Sequence, residues 1–180
     1  MKRIQATVLI AVSLALVPLS MACARGAGGL TWGEQYFDGE FSNYDVQAST
    51  SGGFGYAVTR GGTRIGGFAL AMHSDVPGSS FDAGFVGTIT GQETRAGIFV
   101  AAANLWTGIG GIAGSSVIQG PATFAFFGEA TVEVGISLFP GTTMSAYAGM
   151  QAVAPVLITG QLFDRVLYTP TFGIRVGWGG

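Results

Sequence analysis

The stretch TVEVGISLFPGTTMSAYAGMQA, Thr131 to Ala152, decides how this chain is read. Val132, Val134, Ile136 and Leu138 take every second place, and Glu133 sits between two of them. Pro140-Gly141-Thr142 then breaks the run, and a second alternating segment follows. Period-two alternation on both sides of a short Gly/Pro turn is the pattern of an antiparallel hairpin. The carboxylate raises the question of what each face of that hairpin touches.

Alternation extends over most of the chain after Gly53. Phe54, Tyr56 and Val58 form one set, and Phe68, Leu70 and Met72 another. Phe81, Ala83, Phe85 and Ile89 follow, with Phe124 and Phe126 in phase with Val132 to Leu138. Phe172, Ile174, Val176 and Trp178 close the sequence. Gly61-Gly62, Gly91-Gln92-Glu93 and Pro140-Gly141-Thr142 read as tight turns. Longer links fall at 75–80, about 107–121 and 156–165. This spacing predicts strands over 52–60, 63–73, 80–90, 94–105, 122–138, 143–154 and 166–178, with one more between Leu30 and Ser49. Trp32, Tyr36, Phe41 and Tyr44 are the candidates there, without a fixed register. Short and long links alternate, which is the rhythm of an up-and-down barrel of about eight strands with its long loops at one end.

Composition sets the environment. The chain has 180 residues, a formal charge of −2 and 10% charged residues, against roughly 25% in ordinary soluble domains. The near-neutral balance gives no footprint for nucleic acid. Met1-Lys2-Arg3, the apolar run Ile4 to Leu19 and the small-x-small triplet Ala22-Cys23-Ala24 form an export signal with cleavage expected after Ala24. The rival is a lipidated Cys23, although Ser20 stands where that pattern wants leucine. By length, 25–180 is then a single domain.

In a soluble sandwich the face opposite the valines would carry lysines and glutamates. Here it carries Gly, Ala, Thr and Ser, which makes a poor soluble surface. The expectation is therefore an all-β transmembrane barrel with large apolar residues facing lipid and small or polar ones facing the lumen. Closure leaves no backbone group unpaired in hydrocarbon. A soluble secreted sandwich or barrel is the alternative. Helical spans are disfavoured because the uncharged run from Ala96 to Gly128 is dense in glycine. On the barrel reading Glu133 points inward, and Arg175, of inward parity two strands away, is its expected partner and the expected constriction. Glu129, Asp82 and His73 are expected to point inward as well. The lumen is expected to be lined by Gly55, Ala57, Gly67, Ala69, Ala71, Gly84, Gly135, Gly149, Gly173 and Gly177. Interfacial aromatics are expected at the tight-turn end (Phe139, Trp178) and the long-loop end (Phe81, Trp106, Tyr168).

This architecture resembles the small outer-membrane barrels of diderm bacteria, the OmpX-like and OmpW-like proteins and the membrane domain of OmpA. The resemblance covers about Leu30 to Gly180 and rests on strand number, short turns and a terminal strand. It implies outer-membrane lipid and the barrel-assembly machinery as partners, with a small solute or an extracellular ligand at the loops. Many such barrels end on an aromatic residue, whereas here Gly179-Gly180 follow Trp178.

No CxxC, HExxH, Walker loop or GxSxG is present, so no cofactor or metal site is expected. His73-Ser74-Asp75 holds the residue types of a hydrolase, but neighbours on a strand point to opposite faces. Two non-enzymatic functions remain: a narrow pore for small solutes gated by Glu133 and Arg175, or a platform with a filled lumen.

Overall fold

A sheet edge exposes a row of unpaired N–H and C=O groups, and closure removes it. In the computed structural model, which describes residues 25–37, 46–74, 80–114, 123–156 and 166–179, eight antiparallel strands form a closed barrel. They are β1 (Arg25–Phe37), β2 (Val46–Val58), β3 (Thr63–Ser74), β4 (Phe81–Ala96), β5 (Phe99–Gly114), β6 (Thr123–Phe139), β7 (Thr142–Val156) and β8 (Leu167–Trp178). Each pairs with its sequence neighbours, and β1 closes on β8 from Gly28↔Trp178 to Gln35↔Thr171. The export segment 1–24, Cys23, Phe41, Tyr44 and Asp75 lie outside the described residues. Among the described residues no helix is long and apolar enough to cross a membrane, and the uncharged run after Ala96 forms β5 and part of β6.

Tight turns gather at one end of the barrel. Gly62 (φ 84°), Gly97 (φ 62°) and Gly141 (φ 82°) adopt the left-handed backbone these reversals require. The β4–β5 turn is thus at Gly97-Ile98, not at Gly91-Gln92-Glu93. Those three residues continue β4 because their ladder with β5 persists through Ala96↔Phe99. The first strand begins at Arg25, earlier than expected, and Gln47 to Ser49 belong to β2. Strand β5 also reaches Gly114, into the stretch read as a long link.

The two faces are assigned correctly by sequence in β6 and β8 and inversely in β2, β3 and β4. Val132 and Val134 face outward at 64% and 65% exposure, whereas Glu133 is buried at 5%. In β2 to β4 the large residues Phe54, Val58, Phe68, Leu70, Met72, Phe81, Ala83, Phe85 and Ile89 are buried inside the barrel, and Tyr56 packs against them. Gly55, Ala57, Gly67, Ala69, Ala71 and Gly84, expected in the lumen, therefore face outward. The reason is volume. An eight-stranded barrel has an interior just wide enough for side chains to fill, and close packing requires that it be filled.

Aromatic rings supply part of that filling, among aliphatic and polar side chains. Phe127 stacks tilted on Phe68 (5.4 Å between centroids) and Phe85 (4.9 Å), and Phe68 contacts Trp106 at 5.0 Å. Phe81 and Trp106, expected at an interfacial belt, are thus interior residues, 8% and 2% exposed. Tyr168, Phe139 and Trp178 do lie outside, at 69%, 71% and 53%. Backbone glycines make room for the largest rings. Gly33 and Gly173 are register partners across the β1–β8 seam, and a Cβ on either would run into the Tyr147 ring.

Replacing Gly33 by alanine should therefore destabilise the barrel by about 1–3 kcal/mol through overpacking. Tyr147→Leu in the same chain should recover part of that loss, as read from urea unfolding midpoints. Equal midpoints for wild type and Gly33→Ala would contradict the cradle.

Candidate functional site

A charge held inside a barrel needs partners, because desolvation is otherwise prohibitive. Glu133 reaches the interior from β6 by the strand period alone. Arg64 Nη1 donates to its Oε2 at 3.0 Å, Arg175 Nη1 at 3.1 Å and Asn104 Nδ2 at 3.2 Å. Ser145 Oγ donates to Oε1 at 2.9 Å. Two guanidiniums, an amide and a hydroxyl from four different strands thus converge on one carboxylate.

Arg64 links this group to a second one. Its Nε donates to Glu93 Oε2 at 2.9 Å, and its Nη2 lies 2.7 Å from the same oxygen. Glu93 also accepts from Arg95 Nε at 2.7 Å and from Arg25. Its side chain is fully buried, while those of Arg25 and Arg95 are 26% and 33% exposed at the turn-end mouth. Ring faces complete the arginines' surroundings. Arg64 lies over Tyr56 at 4.4 Å, and Arg175 lies over both Trp106 (4.4 Å) and Tyr147 (3.9 Å). Such contacts strengthen when the cation is desolvated. Arg175 also donates to Thr131 Oγ1 at 3.3 Å and stands 3.9 Å from Glu129.

The structure thus brings Glu133, Arg175 and Glu129 together in the lumen. It does not bring His73 and Asp82 there. These two face outward, with side chains 50% and 75% exposed, and their contact (His73 Nδ1 to Asp82 Oδ1, 2.7 Å) is a cross-strand pair on the barrel's exterior. Both share parity with outward Ala71 and Gly84, and the inversion of β3 and β4 carries them outside. Ser74 turns inward and donates to the Gln47 carbonyl at 2.9 Å. His73 and Ser74 therefore sit on opposite faces and cannot act as a nucleophile–base pair. Among the described residues no group of three His, Cys, Asp or Glu could hold a metal ion.

Arg64 and Glu93 are the buried charged residues of the site that sequence reading missed. Thr63-Arg64 and Thr94-Arg95 are visible as an echo after presumed turns, but Glu93 is masked by the misplaced turn. Their parity carried the missing signal. Arg64 is in phase with Phe68, Leu70 and Met72, and Glu93 with Ile89 and Phe85. A charge deep in the strand on the same face as a bulky row is the mark of an interior face in β3 and β4, while the charges of the opposite face, His73 and Asp82, stand at the far ends of those strands.

Above the ion network lies a polar seam lined in part by Gln35, Thr50, Trp106, Glu129 and Gln151. Gln35 Nε2 donates to Gln151 Oε1 at 3.0 Å across the lumen. The seam encloses about 200 Å³, none of it wide enough for a water molecule. The aromatic cluster adjoins it and shares Trp106 with it. The interior thus holds an ion network, a polar seam and an apolar plug in mutual contact, and among the described residues they leave no continuous channel of the kind the pore reading needs.

No protein-family model and no curated protein matches the chain. Among solved structures it is similar to Neisserial surface protein A, with a TM-score of 0.58 and 9% sequence identity, over 86% of this chain and 95% of that one. At that identity the likeness shows the fold alone: an all-β, closed, eight-stranded antiparallel barrel. Nothing in it singles out the OmpX-like or OmpW-like proteins.

Removing one member of the network leaves a buried charge unpaired. Glu133→Ala and Arg175→Ala should each cost about 3–5 kcal/mol. A Glu133→Leu/Arg175→Met double variant should cost less than the sum of the corresponding single changes, in denaturant unfolding of the refolded protein. Strict additivity would mean the two side chains do not interact.

Proposed function

We propose that this chain is an integral outer-membrane barrel of a diderm bacterium that works without catalysis, as a closed scaffold rather than a conduit. The observation that carries the membrane reading is the exterior. On β1, β3, β5, β6, β7 and β8 the outward positions hold Leu30, Trp32, Ile65, Leu105, Val132, Val134, Met150, Phe172 and Ile174 among Gly, Ala, Ser and Thr, and on β2 and β4 the outward positions are mostly Gly, Ala, Ser and Thr. The ionisable side chains that face outward within the strands are Glu34, His73 and Asp82 among the described residues, all close to the end opposite the tight turns. A soluble domain of this size would spread charge over about a quarter or more of its surface. Strands of 12 to 17 residues exceed the length needed to cross hydrocarbon in a tilted barrel.

The filled lumen favours the scaffold over the pore. A conducting barrel needs a continuous wet path, and here Phe68, Phe85, Phe127 and Trp106 occupy the space where it would run. On this reading Glu133 and Arg175 lock the interior and hold the strands in register. They do not select a solute. The partners are outer-membrane lipid and, during biogenesis, the barrel-assembly machinery. An extracellular ligand would meet the protein at the long-loop end. The shared fold with a protein named for its surface location agrees with this placement.

Two measurements on one sample test the proposal. The chain refolded in detergent should migrate faster unheated than boiled, and it should give no conductance steps in a planar bilayer. Discrete steps would restore the pore. A chain that stays monomeric and soluble without detergent would show that Val132, Val134 and Ile136 do not face lipid.

A further inference from the structure

The arginines at the tight-turn end outnumber the carboxylates that hold them. Arg25, Arg64, Arg95 and Arg175 are linked to Glu93, Glu133 and Glu129, four guanidiniums to three carboxylates. One positive charge is left over in a desolvated network. Its exposed members are Arg25 and Arg95, both on the same oxygen of Glu93. Arg95 has Glu93 and Ser137 as its partners among the described residues, so several of its five N–H donors point elsewhere.

Arg60 adds a second positive charge beside them. It is exposed in the turn between β2 and β3, with no hydrogen-bond or ion-pair partner among the described residues. That turn is fastened to the strand carrying Glu93: Glu93 N–H donates to the Gly62 carbonyl at 2.7 Å, and Gln92 Nε2 donates to the Gly61 carbonyl. No exposed carboxylate of the described residues lies at this end, since Glu34 and Asp82 are near the opposite one. Phe99, Phe139 and Trp178 project outward at the same level, 62%, 71% and 53% exposed. Exposed aromatics of this kind sit at the headgroup level of a bilayer.

We propose that the turn-end mouth is a binding site for the phosphate groups of anionic phospholipids, with Arg60 and Arg95 as the contacting residues and Arg25 beside them. The guanidinium fork matches phosphate geometry with two parallel donors. The excess charge inside the mouth gives a bound anion a compensating partner that bulk water does not. The three outward aromatics at the ends of β5, β6 and β8 favour a lipid phosphate over a free one, because they set the headgroup level at the end where the arginines stand. The site rests on the membrane reading above and adds a direction to it: the tight-turn end faces a leaflet of phosphate-bearing glycerolipid.

The test uses the full mature-length barrel. It is first inserted into vesicles of phosphatidylcholine alone and of phosphatidylcholine with phosphatidylglycerol, insertion being read from heat-modifiable mobility. Lipid retained on the extracted barrel is then counted by native mass spectrometry. Phosphatidylglycerol should be retained over phosphatidylcholine, and Arg60→Gln should reduce that preference about fivefold. Arg95→Gln should reduce it further, and Arg60→Lys should restore part of it. Arg60 makes no internal contact, so its variant keeps the test independent of folding. Equal retention of the two lipids, or an unchanged preference in Arg60→Gln and Arg95→Gln, overturns the site while leaving the membrane reading intact. Inorganic phosphate bound by the detergent-solubilised barrel without any lipid preference overturns the lipid assignment. Failure of the wild type to enter either vesicle removes the membrane reading and this inference together.

Discussion

The interior of an eight-stranded barrel is about as wide as the side chains that line it, and much of this structure follows from that constraint. The chain cannot leave the space empty without losing packing on every strand. It fills one part with phenylalanines and a tryptophan and another with paired charges. Glycines on the inner face then become necessary rather than permissive. Gly33 and Gly173 stand where Tyr147 needs its ring, and Tyr147 in turn lies under the Arg175 guanidinium. A backbone feature of the β1–β8 seam is therefore coupled to the geometry around Glu133.

The ion network is built so that no single pair carries it. Glu133 receives two arginines from strands on different sides, and Arg64 is shared between Glu133 and Glu93. In low dielectric such sharing strengthens each bond and raises the cost of losing any member. It also ties β3, β4, β6 and β8 together across the lumen, in addition to the ladders that join each strand to its neighbours. A register slip by one residue would move Arg64 or Glu133 to the exterior and an apolar residue into the network. The buried charges thus specify the register that the alternating pattern alone leaves open to slippage.

Inside and outside are unequal around the barrel. Strands β6 and β8 put bulky apolar residues outward and polar ones inward, as a lipid-facing strand should. Strands β2 to β4 put aromatic and aliphatic residues inward and Gly, Ala, Ser and Thr outward. The first group supplies much of the greasy exterior, and the second supplies most of the plug, which Trp106 of β5 and Phe127 of β6 complete. Charge is unequal along the axis as well, with free arginine at the tight-turn end and Glu34 and Asp82 near the other. Both asymmetries are compatible with one closed sheet, because alternation requires only that each strand have two different faces.

The sequence by itself determined the strand count, the tight reversals at Gly61-Gly62 and Pro140-Gly141, and the closed antiparallel architecture. These are local or compositional properties, set by period-two alternation, by glycine's access to positive φ and by the scarcity of charge. It also placed Glu133 and Arg175 on inward faces of strands one apart, because each charge interrupts a bulky apolar row. Only the tertiary structure decided which face of β2, β3 and β4 is interior. Alternation divides a strand into two faces without naming them, and the choice depends on the volume left by the other strands. His73 and Asp82 went outside, and Phe54, Phe68 and Phe85 went inside, for that reason. Arg64 and Glu93 joined the network because closure brings β3 and β4 within reach of β6, a distance that no spacing along the chain records.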